Sequence, residues 1–150
     1  MADTYIGLYI HYVFSTKNRE PIIAEHVKER IWAFMGGIAR ENRMKALCIG
    51  GVMDHVHLLV SMPATVSIAK TMQLIKGGTT AWVHDTFPGL QHFAWQEGYA
   101  AFSVSESSLG ETIAYINNQE EHHRRKTFQE EYLELLKING VEYDEKYLWD

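Results

Sequence analysis

Apolar side chains occupy both parities of TYIGLYIHYVFST (4–16), and aromatic and β-branched residues dominate it, which predicts a central strand covered on both faces. After Pro21 the period changes. Val27, Ile31, Phe34, Met35 and Ile38 recur at helical spacing and predict an amphipathic helix over about 24–42. KALCIGGVMDHVHLLVSMP then reads as two strands joined by a tight turn at Met53-Asp54 and stopped by Pro63. From Ser67 a second helix places Ile68, Met72, Ile75, Thr79, Trp82 and Val83 inward and Lys70, Gln73, Thr80 and His84 outward, with Gly77-Gly78 expected to weaken or bend it. HFAWQEGYAAFSVS (92–105) supplies a fourth strand, interrupted at Gly98.

The element order β-α-β-β-α-β is the split βαβ arrangement, so the expected class is α+β: a ferredoxin-like, RRM-like antiparallel sheet with helices on one face and the other face open. SLGE (108–111) and TFQE (127–130) both have capping-box spacing and predict two C-terminal helices, about 109–125 and 128–138, the second closed by Asn139-Gly140. No repeat or linker divides the chain. One domain is expected over 1–150, with a core of about 5–125 and a C-terminal helix and tail over 127–150.

Composition narrows the classes. No apolar stretch approaches the roughly 20 residues of a membrane span, MADTYIGLYI lacks the features of a signal peptide, and a cytoplasmic location is expected, with no membrane partner. Cys48 reads as a buried small hydrophobe without a disulfide. The net charge of −5 is unevenly spread: residues 1–76 hold nine Lys/Arg against six Asp/Glu, and residues 77–150 hold five against thirteen. Local positive patches, more than the total, attract phosphates. Lys17, Arg19, Lys70 and Lys76 are the candidates for phosphate contacts, and a solvated mixed surface is the competing account.

Chemistry concentrates at MDHVHLLV (53–60). His55 and His57 stand at i, i+2 on one strand face, while Val56, Leu58 and Val60 face the other way, into the core. Two such histidines hold one ion if a third group approaches; otherwise they are ordinary polar positions on an open sheet face. On the first C-terminal helix, Tyr115 and Gln119 are four apart, hence on one face, and Tyr115 lies off the stripe carried by Ile113 and Ile116. A phenol is a competent nucleophile toward phosphorus, and an amide carbonyl is a hard oxygen ligand. His122 shares that face and is an accessory candidate, although EEHHRRK also reads as a solvated charge run. Asp54 has two readings as well, an orienting partner for an imidazole or a turn residue.

DHVHLLV followed by YINNQ, on a chain that carries HYVFSTKNR near its start, closely resembles the single-tyrosine HUH (His-hydrophobic-His) transposases of insertion sequences that move as single-stranded DNA, together with their REP-associated relatives. The resemblance covers roughly 5–125 and rests on the order and separation of the motifs. It implies Tyr115 as catalytic nucleophile and His55, His57 and Gln119 as metal ligands. It further implies Mg2+ or Mn2+ as the ion and hairpin-bearing single-stranded DNA as the partner. The protein would be nucleoid-associated when bound to it. A homodimer is implied too, in which the tyrosine helix of one subunit can complete the histidine pair of the other. The implied reaction is cleavage and rejoining through a 5′-phosphotyrosine. Three other readings compete: a REP-associated or domesticated nickase, a non-catalytic nucleic-acid-binding module, and a metal-dependent hydrolase in which the tyrosine is dispensable.

Overall fold

The computed structural model describes residues 2–149. β1 (Tyr9–Ser15), β2 (Lys45–Val52), β3 (His55–Ser61) and β4 (Ala100–Val104) form one antiparallel sheet in the order β2-β3-β1-β4, the topology of the split βαβ fold. The order makes β1 and β3 central. That is why both read as nearly continuous apolar runs and why almost every residue of each is buried.

One face is packed by α1 (Glu25–Glu41) and α2 (Ile68–Thr86). Tyr12, Phe14, Val56 and Leu58 of the sheet meet Ile31 and Met35 of α1 and Met72 and Ile75 of α2 in the main core. Each such side chain contributes about 1.5–3 kcal/mol when removed from water. Ser67 caps α2 by accepting from Lys70 N at 3.0 Å. The helix runs unbroken through Gly77-Gly78. Gly78 instead admits a neighbour, because a Cβ there would stand 2.8 Å from Ile38 Cδ1 of α1. In the first turn Thr71 takes the inward position and Ile68 stays exposed.

Other boundaries moved for local reasons. Residues 4–8 lie outside the sheet, and β4 begins only at Ala100, since Gly98 has φ 80 and Trp95 reaches β1 through a single bridge to Thr16. Cys48 follows a bulge between Ala46 and Cys48 and is only half buried, its thiol 3.3 Å from Asn117 Oδ1, so it is not a core hydrophobe. The expected helix over 109–125 is broken at Asn118 (φ −101, ψ 19) into α3 (Leu109–Asn117) and α4 (Gln119–His122). Ser108 does not cap α3, because its φ −102, ψ 1 lies outside the extended region that aims an N-cap hydroxyl. Thr127 does have extended backbone, and it forms the complete capping box with Glu130 that starts α5 (Phe128–Ile138).

The second sheet face is not open. α3 and α5 roof it, and Val13, Ala100, Phe102, Phe128 and Leu136 form a second core between α5 and the sheet. No helix among the described residues is long and apolar enough to cross a membrane.

Candidate active site

The strand alternation of β3 turns Val56, Leu58 and Val60 toward α1 and α2 and turns His55 and His57 to the roofed face, where both are fully buried. Each imidazole is fixed from behind. His55 Nδ1 lies 2.7 Å from Asp54 Oδ1, so the ring donates to that carboxylate. Asp54 thus fills both of its readings: it sits in the β2-β3 turn and orients the histidine beside it. His57 Nδ1 shares a proton with His11 Nε2 at 2.8 Å. His11 arrives there because β1 pairs Val13 with His57 and His11 with Leu59, making the two histidines diagonal neighbours on one face.

α3 reaches this face by close approach to β2. At Gly50 a Cβ would stand 2.6 Å from the carbonyl oxygen of Ile116 and 2.8 Å from its Cγ2, so only glycine lets the helix lie where it does. Ile116 is then buried and Tyr115 faces the histidines, its ring centroid 5.6 Å from that of His57. The break at Asn118 does not separate the next residue from the site. Gln119 is buried, with Oε1 3.0 Å from His55 Nε2. All four principal residues, His55, His57, Tyr115 and Gln119, therefore meet within a single chain.

A fifth group stands between them. Glu131 of α5 is 1% exposed. Its Oε1 lies 3.3 Å from His55 Nε2, 3.1 Å from His57 Nε2 and 2.9 Å from His123 Nε2. Its Oε2 accepts from Gln119 Nε2 at 3.1 Å and from the Tyr115 hydroxyl. His122 Nε2 is 3.4 Å from Oε2 without hydrogen-bond geometry, and the Tyr115 and His122 ring centroids are 5.4 Å apart.

Charge states follow from burial and these partners. At Glu131 burial favours the neutral acid, but hydrogen bonds from His123, His55 and His57 outweigh it and hold the carboxyl far below its ordinary range. Burial disfavours the imidazolium at His55 too, yet Asp54 and Glu131 raise its pKa to about 9. At His57 burial prevails over Glu131 and lowers the value to about 4; at His11 burial, reinforced by His57, lowers it to about 3. Burial and the Glu131 charge push the Tyr115 phenol up, which keeps it protonated.

The donor set fits a divalent ion. With the Nδ1 atoms of His55 and His57 engaged behind the rings, both Nε2 atoms point at Gln119 Oε1 or Glu131, and the ligand atoms of His55, His57 and Glu131 lie within 4.8 Å of one another.

The four basic candidates divide. Lys17 is exposed, and Arg19 lines a groove beside the site with Asp54, His123, Arg124 and Lys126, its guanidinium 5.4 Å from the Trp149 ring centroid. Lys70 and Lys76 belong to α2, on the opposite face of the sheet from the histidines, and do not join the site. Lys76 is no free surface cation: Nζ donates to Gln96 O at 2.8 Å and Gly98 O at 2.9 Å, tying down the loop before β4.

His11, His123 and Glu131 were missed by sequence reasoning. Glu131 left a trace, a carboxylate three residues after Phe128 and five before Leu136 on the buried stripe of α5. His11 left only strand alternation, which becomes informative once the β1-β3 register is known.

The four-stranded antiparallel sheet with its helices matches the fold of a tyrosine transposase. Two solved structures share it: a transposase-assigned protein of Deinococcus radiodurans R1 (TM-score 0.64, 24% identity, covering 79% of this chain and 96% of that one), and a REP-associated tyrosine transposase bound to a REP hairpin (TM-score 0.62, 15% identity, 82% and 73%). The sequence profile of the IS200-like transposases matches residues 4–119, and the chain belongs to that family. The ISDra2 transposase TnpA of Deinococcus radiodurans is 24% identical over 117 residues, which span 75% of this chain and 84% of that protein.

Proposed function

We propose that this transposase acts, as one domain over 1–150, by cutting and rejoining single-stranded DNA at hairpin-marked ends through a 5′-phosphotyrosine on Tyr115. The observation that carries the reading is the convergence of Tyr115 and Gln119 on the buried pair His55 and His57. The Tyr115 oxygen attacks the scissile phosphorus in line with the 3′ oxygen. The P–O3′ bond breaks and the 3′-hydroxyl leaves. The phenolic proton has an acceptor in contact, Glu131 Oε2. Because the ester conserves the phosphodiester energy, an incoming 3′-hydroxyl reverses the step and joins strands without a nucleotide triphosphate.

His55, His57 and Gln119 would hold Mg2+ or Mn2+, which when bound would neutralise charge developing on the phosphate. Arg19 and Lys17 would hold the strand. The hairpin substrate is supported by a fold neighbour that binds one, and a homodimer acting at the nucleoid is part of the same reading. The test uses hairpin oligonucleotides labelled at either end, with Mn2+. The reading predicts a free 3′-hydroxyl fragment, a 5′ end retained on protein, and rejoining without ATP. A free 5′-phosphate product would favour hydrolysis by water.

A further inference from the structure

His122 and His123 end the short helix after Gln119, and the reaction proposed above uses neither. Both nevertheless turn toward the site. His123 donates from Nδ1 to Lys126 O at 2.7 Å, which leaves Nε2 facing Glu131 Oε1 at 2.9 Å. His122 Nε2 is buried and has no hydrogen-bond partner, although it points at Glu131 Oε2 from 3.4 Å. A buried imidazole nitrogen with no partner is an uncompensated cost in a settled structure. A cation held among His122, His123 and Glu131 would give that nitrogen a partner.

We propose that His122, His123 and Glu131 form a second divalent-cation site, distinct from the site of His55 and His57 and sharing the Glu131 carboxylate with it. The ligand atoms of His122, His123 and Glu131 already lie within 4.8 Å of one another. The anchoring of His123 by Lys126 O is the outer hydrogen bond that metal-bound histidines make as a rule. Two imidazoles and a carboxylate suit zinc or manganese better than magnesium. The His122 side chain is 25% exposed, so an ion has a way in. A carboxylate shared between two ions is a recurring feature of phosphodiester-cleaving centres, where the ions stand about 3.5–4 Å apart. Here the shared carboxylate also holds the Tyr115 hydroxyl. An ion at the second site would therefore bias the position of the nucleophile, and it would tie α5 to α4.

The proposal rests on the reading above only for the identity of the first site, and the two fail separately. The experiment loads metal-free full-length protein with Mn2+ and with Zn2+ and counts bound ions by calorimetry and elemental analysis. Wild type, His57→Ala, His122→Asn and His123→Asn are compared, with melting curves confirming that each variant is folded. Two ions in wild type, one in each variant, and a spin-coupled Mn2+ pair by electron paramagnetic resonance in wild type alone are expected. One ion in wild type, lost in His57→Ala and unaffected in His122→Asn and His123→Asn, overturns the second site and leaves the first intact. One ion that survives His57→Ala and disappears in His123→Asn overturns the His55/His57 reading and keeps the site proposed here. If a variant fails to fold, the folded ones decide, and an ion count that neither His122→Asn nor His123→Asn lowers overturns the proposal.

Discussion

Gln119 Oε1 stands 3.0 Å from Nε2 of His55, across 64 positions of sequence, with Glu131 Oε1 3.3 Å from the same nitrogen and Asp54 holding the far side of the ring. The contact exists because Gly50 lets α3 lie against β2 and because the helix breaks at Asn118 without turning Gln119 away.

Gly50→Ala should therefore damage the site from a distance. Its Cβ would meet Ile116 backbone at 2.6 Å, an overpacking that costs about 1–3 kcal/mol. We expect a melting temperature lower by several degrees and a loss of covalent adduct larger than the loss of folded protein, because the displaced helix carries Tyr115. Thermal melts beside an adduct assay check this; full activity on a destabilised protein would refute it.

His11 never faces the proposed ion, but it fixes the ring of His57 through the 2.8 Å bond to Nδ1. His11→Phe keeps the bulk and removes that partner. Metal affinity should fall about 10–100-fold, the usual effect of losing an outer hydrogen bond to a ligand histidine. Calorimetric titration with Mn2+ measures it, and an unchanged affinity would mean that the ring needs no such support.

Stability of the metal-free protein should pass through a maximum near pH 6.5. From there toward pH 9 the folded state binds one more proton than the unfolded, since His55 is raised from 6.5 to about 9, and stability falls as pH rises. Below 6.5 the sign reverses. His57 and His11, lowered to about 4 and about 3, stay neutral in the folded state while the unfolded chain takes up their protons. The depressed Glu131 adds to the loss below its ordinary value of 4.5. Each uncompensated proton contributes about 1.4 kcal/mol per pH unit. Urea denaturation near pH 5, about 6.5 and about 8.5 tests the shape, and a monotonic rise would contradict it.

Lys76→Met should behave as a structural change. Its ammonium satisfies two carbonyls of the loop before β4, so the loss should cost about 1–3 kcal/mol in urea unfolding. The salt dependence of DNA binding should not move, whereas Arg19→Ala should weaken that binding and flatten the dependence.

The sheet and its first two helices were legible because hydrophobic period and capping residues reported them directly: Ser67 and Thr127 cap where expected, and β3 alternates as its sequence does. The same signals failed at Ser108 and Asn118, where backbone geometry set by packing on the sheet overrides a local motif. At the site, neighbours in sequence were readable and neighbours in space were not. His55 and His57 announce themselves at i, i+2, and Tyr115 and Gln119 at i, i+4. His123 lies in a run that also read as solvated charge, Glu131 sits on a helix whose capping box reported its start and not its partners, and only the docking of α5 on the second face brings Glu131 between the histidines and the tyrosine.

The central claim is that Tyr115 becomes covalently attached to DNA. The direct measurement incubates the protein with Mn2+ and a single-stranded hairpin oligonucleotide, digests the adduct, and maps the nucleotide-bearing peptide by mass spectrometry. The account predicts the modification on Tyr115, with no adduct from Tyr115→Phe and strong loss from His57→Ala. Cleavage that persists in Tyr115→Phe, or an adduct on any other residue, would contradict it.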